Sequence, residues 1–162
     1  MRVITFSRTF PSYHPRKGES TYFIEKIWAG LADGTDRMQG NVDMDFNEYY
    51  NGVPKHHTVR NGHRWKRGDF FSPRYWSGKP YASKQNIITE PLQLVNVWDI
   101  KIEGYMIFIN RELFSSSQYS QEATMLATND GLLVDDFWNW FPQKPGKIFE
   151  GQILCWNEAI EY

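Results

Sequence analysis

Cysteine is nearly absent: the 162 residues contain one, Cys155. That excludes a disulfide within the chain and a cysteine-closed metal site, and it fits a reducing, cytoplasmic compartment. Long hydrophobic runs are missing as well. The opening MRVITFSRTF is interrupted by charge, and no stretch approaches the roughly 18 apolar residues of a membrane helix, so no membrane partner is expected. There is no repeat, no low-complexity tract and no linker-like segment. The length then suits a single domain over 1–162 with a sizeable core. A net charge of −1 argues against strong nonspecific attraction to duplex nucleic acid.

Aromatic residues, in contrast, are abundant. Seven Trp, nine Tyr and eleven Phe make up 17% of the chain, which favours strands and stacking surfaces. Charge is unevenly spread. Residues 55–84 carry eight Lys/Arg against the single acid Asp69, whereas residues 85–162 are strongly acidic. Two readings stay open: a basic face that attracts a polyanion, or a basic stretch paired with the acidic C-terminal half.

Local patterning predicts strands at Val3–Ser7, His57–Arg60, Phe70–Trp76, a long or bulged strand through Asn86–Ile102 that alternates from Leu92 onward, Tyr105–Ile109 and Ile153–Trp156. Pro73 assigns its strand to an edge or a bulge. Helices are predicted over Thr21–Leu31, where Phe23, Ile24, Ile27, Trp28 and Leu31 share a face, and over Gln121–Asn129 with Ser120 as N-cap. A short helix follows over Phe137–Phe141, with Phe137, Trp138, Trp140 and Phe141 as its core packing. Residues 33–52, rich in Asp, Asn and Gly, read as an insert or loop. About six strands with helices at two or three places give an α+β domain built on a partly open β-barrel.

The segment KHHTVRNGHRWKRGD contains Lys55-x-x-Thr58-x-Arg60 followed by Gly68–Asp69. It resembles the signature of the ASCH family within the PUA-like superfamily, a Gly-x-Lys-x-x-Thr-x-Arg run followed by a Gly-Asp turn. A helix before the motif, a β-rich stretch after it and a later helix ending in Ala127–Gly131 match the same order. Two departures stand out: Val53 replaces the first glycine, and Asp130 replaces the glutamate of the later helix. The long N-terminal loop and the 33–52 insert resemble larger, phage- or prophage-type members.

The resemblance implies a PUA-like barrel whose cleft binds RNA or a nucleoside-type ligand. Some bacterial relatives are amidohydrolases that deacetylate N4-acetylcytidine, and by position their working residues map to Lys55, Thr58 and Asp130. In such chemistry a depressed-pKa lysine activates the threonine hydroxyl, and a carboxyl with a raised pKa protonates the leaving amine. Arg60 would hold a carbonyl or phosphate oxygen. The plainer reading makes Lys55 and Arg60 exposed strand charges.

Around the motif, Trp65, Tyr75, Trp76 and Tyr81 interleave with Arg64, Lys66, Arg74 and Lys84. Bases stack on aromatic faces while cations follow phosphates, so the mixture suits single-stranded nucleic acid. For any one tryptophan, core packing is the competing reading. His56 and His57 point to opposite faces of a strand, so no metal is expected, and no cofactor. The expected function is an RNA- or modified-nucleobase-binding module. Its alternatives are an amidohydrolase and a phage or mobile-element protein-interaction domain that uses the 33–52 insert.

Overall fold

A computed structural model describes residues 1–31, 53–141 and 144–162. The predicted 33–52 insert lies outside the described residues. Strand β1 (Arg2–Thr5) leads through an N-terminal loop to helix α1 (Phe23–Leu31), and β2 (His57–Asn61) and β3 (Phe70–Trp76) follow. Next come β4 (Gln85–Ile87), β5 (Leu92–Gln93), β6 (Asn96–Glu103), β7 (Met106–Ile109) and β8 (Glu112–Ser115). Helices α2 (Gln121–Asn129) and α3 (Val134–Trp140) precede the last strand, β9 (Ile148–Cys155).

The class is mixed α+β. Nine strands, rather than about six, pair into two sheets among the described residues, with no strand common to both. In the first sheet β1 lies parallel to β3, and β4 and β5 pair antiparallel along the other side of β3. The second sheet is antiparallel throughout, in the order β2-β9-β6-β7-β8.

Two strand expectations are corrected. The run through Asn86–Ile102 is divided among β4, β5 and β6, because β4 and β5 pair with β3 in one sheet while β6 pairs with β9 in the other. Pro73 is not on an edge strand, since β3 is flanked on both sides. Its carbonyl accepts from Ile88 N at 2.9 Å, so that side of the residue faces the interval between β4 and β5, where the antiparallel ladder is interrupted. A strand position whose neighbour has left the ladder requires no N–H, and proline fits there.

Aromatic contacts join the sheets. Phe6 and Phe71 pack on Trp156 with ring centroids 6.1 and 5.8 Å apart. Along β6, Trp98, Ile100 and Ile102 are buried and alternate with Asp99 and Lys101, the period-2 pattern of a strand with one face on the core. Helix α1 buries Phe23, Ile24 and Ile27.

Candidate functional site

The site is organised around Lys55. Its backbone N–H donates to Lys26 O in α1 (2.9 Å), and His56 N–H donates to Asn129 O at the end of α2 (2.8 Å), so the segment before β2 ties two helices together. Two glycines make that approach possible. A Cβ on Gly30 would lie 2.6 Å from the Lys55 carbonyl oxygen. Gly131 has φ +77°, a conformation that favours glycine, and a Cβ there would lie 3.1 Å from Lys55 Cβ.

The Lys55 side chain is 1% exposed. Nζ donates to Asp130 Oδ1 (2.6 Å) and to Asp130 O (2.5 Å), and it lies 4.3 Å from the centroid of the Phe23 ring. The exposed-charge reading is therefore wrong for Lys55. Burial lowers the lysine pKa, and the Asp130 charge only partly restores it. Burial pushes the Asp130 carboxyl up, but the Lys55 charge beside it is the largest of the influences that outweigh this and hold it below its ordinary value. A general acid of raised pKa is thus not what the fold provides at Asp130. Lys26, whose Nζ donates to Gly131 O at 2.8 Å, is pulled down to about 8 by burial and by the nearby Lys55 charge.

His57 extends the network on the other side. Its Nε2 lies 2.6 Å from Tyr162 Oη, which also accepts from Asn129 Nδ2 (2.9 Å). Burial raises the tyrosine pKa, so the phenol keeps its proton. On the other side of the ring, Nδ1 lies 3.7 Å from Asp130 Oδ1 and has no hydrogen-bond partner among the described residues. Burial lowers the His57 pKa in spite of Asp130, consistent with a neutral ring.

Thr58 and Arg60 share the other face of β2 by strand alternation. With Lys55 and Asp130 they line one cavity of about 250 Å³. Six aromatic side chains complete its wall: Phe6, Phe23, Trp76, Tyr81, Trp140 and Phe141. Arg60 Nη2 donates to Thr5 O (2.8 Å), and its guanidinium lies 5.2 Å from the Phe6 ring centroid. Arg60 Nε is sealed from solvent with no partner among the described protein groups. Asp130 pairs with Lys55, and among the described lining residues Arg60 is the cation without an ion-pair partner.

The other sequence-predicted ligand residues do not all gather here. Trp76 lines the cavity and packs on Tyr81 at 5.3 Å. Trp65 is core: it is buried against Phe71 and capped by the Arg2 guanidinium 4.0 Å over its ring. Arg64 and Lys66 flank Trp65 at that end of β3, and Phe71 lies about 16 Å from Trp76 at ~3.3 Å per residue. Arg74 Nε donates to Ser72 Oγ, Tyr75 lies under Arg8, and Lys84 is exposed with its carbonyl bonded to Ser77 N. None of these three lines the central cavity. Phe137 and Trp138 are buried, as the core-packing reading of the last helix requires, but Trp140 and Phe141 are only half-buried and face the cavity. Phe6 and Phe23 carry no local signal that separates wall from core, and only the tertiary approach of β1, α1 and α3 reveals them.

No group of three or more His, Cys, Asp or Glu side chains among the described residues is arranged to hold a metal ion. No described helix is long and apolar enough to cross a membrane. In comparisons with known proteins, the chain matches no family model, no curated protein and no solved structure.

Proposed function

We propose that the chain is a PUA-like, ASCH-type barrel of the cytoplasm, and that its central cavity binds a nucleobase, either within RNA or as a modified nucleoside. One observation carries the reading: Lys55, Thr58 and Arg60 from the segment before and along β2, and Asp130 from the end of α2, line one aromatic-walled cavity. The Arg60 guanidinium, one of the lining groups, would act as a charge-assisted donor to an acceptor oxygen or ring nitrogen of the ligand. The Thr58 hydroxyl, which makes no hydrogen bond to another described residue, offers a donor and an acceptor beside it. Trp76 and Trp140 provide faces for stacking, and a planar heterocycle rimmed with acceptors suits that combination. The buried thiol of Cys155 fits a reducing compartment.

Fluorescence anisotropy with short single-stranded RNAs, and tryptophan quenching by cytidine and N4-acetylcytidine, test the proposal. Replacing Arg60 with Ala should weaken binding by about tenfold or more, the scale of one charge-assisted hydrogen bond. Unchanged affinity in Arg60→Ala would remove the cavity from consideration.

One observation favours a second reading, amidohydrolysis: the lowered Lys55 pKa suits a base. Two oppose it. Lys55 Nζ bonds to Asp130 and not to Thr58, and Asp130 is held anionic. Release of cytidine from N4-acetylcytidine, abolished by Thr58→Val, would establish turnover; its absence at high protein concentration would leave binding alone.

A further inference from the structure

We infer that the central cavity is the middle of a through-going groove, and that its ligand is a single-stranded oligonucleotide with one base seated at the centre and a neighbour on each side. This rests on the nucleobase reading above and narrows it from nucleoside to strand.

The geometry lies in the shared walls. On one side a second cavity of about 370 Å³ shares Phe6, Ser7, Phe23, Trp76 and Pro80 with the central one. On the other side a third cavity, of about 470 Å³, shares Val59, Arg60, Trp140 and Phe141. The central cavity therefore adjoins a neighbour at each of two walls, one that includes Trp76 and one that includes Trp140. A nucleoside-sized ligand would fill the centre and leave both flanks empty. A chain molecule fits because it must enter and leave.

Each flank repeats the same chemistry. The first carries Tyr22 and the exposed Arg8, and the second carries Tyr13, Phe149 and the exposed Lys147. An aromatic face beside a cation is what a base and its phosphate require. Each flank also contains one acid, Glu25 and Glu150 respectively. Charge within a flank is close to balanced, so stacking dominates over phosphate attraction. Counting Arg8 and Lys147 as the phosphate partners, log K should fall with log salt with a slope of about −1.4 or shallower, from roughly −0.7 per phosphate on single strands.

The test uses the full chain and tryptophan quenching. Each of the four ribonucleosides is compared with its homotrinucleotide in RNA and in DNA. For at least one base the trinucleotide should bind about tenfold or more tightly than the nucleoside. Arg8→Ala and Lys147→Ala, both on the surface, should each weaken the trinucleotide several-fold and leave nucleoside affinity unaltered. A preference for RNA would mark a 2′-hydroxyl contact, and equal binding of DNA would mark readout of any single strand; both support the groove. Nucleoside and trinucleotide binding equally, or flank variants without effect on the trinucleotide, would overturn the strand inference while the nucleobase reading stands. No binding of any probe would overturn both.

Discussion

Lys55 combines two properties that rarely coexist, a charged side chain and near-complete burial. Its stability rests on Asp130, because a lone buried ammonium loses its hydration with no compensation. Lys55→Ala or Asp130→Ala should each cost about 3–5 kcal/mol in urea unfolding, the usual consequence of leaving one buried charge unpaired. The double replacement Lys55→Met with Asp130→Leu should recover a large part of that loss. A double variant as unstable as the sum of the single ones would show that the pair is not coupled. His57 adds a pH dependence. Its pKa is lowered in the folded state, so as pH falls below the ordinary 6.5 the unfolded chain takes up a proton that the native imidazole refuses. Stability is therefore full above 6.5 and is lost progressively below it; Asp130, also lowered, adds a further loss below the ordinary carboxylate value of 3.8. The melting temperature should drop between pH 7.5 and pH 5, and His57→Gln should flatten that slope. A slope identical in the variant would contradict the neutral, buried state of the ring.

Among the secondary-structure elements, α2 was the most legible. Its boundaries match the pattern, and Ser120 Oγ accepts from Ala123 N at 3.0 Å, the contact expected of an N-cap. Ser120→Ala should lower the unfolding free energy by about 1 kcal/mol in chemical denaturation. An unaffected midpoint would mean that Ser115, 2.6 Å from Ser120 Oγ, or solvent replaces the cap. Helix α1 and β3 were legible for similar local reasons, a 3.6-residue apolar period and an aromatic run between turns. The division of the Asn86–Ile102 run was not, because β4 and β5 are set apart from β6 by which distant strand each one pairs with. The position of Pro73 was hidden for the same reason: the proline rule concerns unused N–H groups, and an interruption in a neighbouring strand is invisible along the sequence. Strand β8 was missed because Glu112–Ser115 is short, largely exposed and at the sheet edge, with no alternation to reveal it.

At the scale of the whole molecule, strand alternation along β2 accounts for the shared face of Thr58 and Arg60. Bringing Asp130 to Lys55 depends on Gly30, Gly131 and the backbone bonds at the ends of α1 and α2, which sequence spacing does not encode. The basic, aromatic stretch behaved differently, since continuity in sequence did not become continuity in space. Strand β3 carries its two ends apart, so Trp65 with Arg64 and Lys66 belongs to one end and Trp76 with Tyr81 to the other. The fold thereby separates a structural tryptophan, held by Arg2 and Phe71, from one available to a ligand.

Solution NMR distinguishes these two ends directly. The Arg60 Nε–H and the indole N–H groups of Trp76, Trp140 and Trp65 can each be assigned and followed while a short single-stranded RNA is added. If the central cavity is the binding site, the Arg60, Trp76 and Trp140 resonances should shift saturably with one common Kd while Trp65 stays still. Shifts confined to Trp65 and its basic neighbours, with Arg60 Nε–H unmoved, would contradict a ligand site at Lys55, Thr58, Arg60 and Asp130.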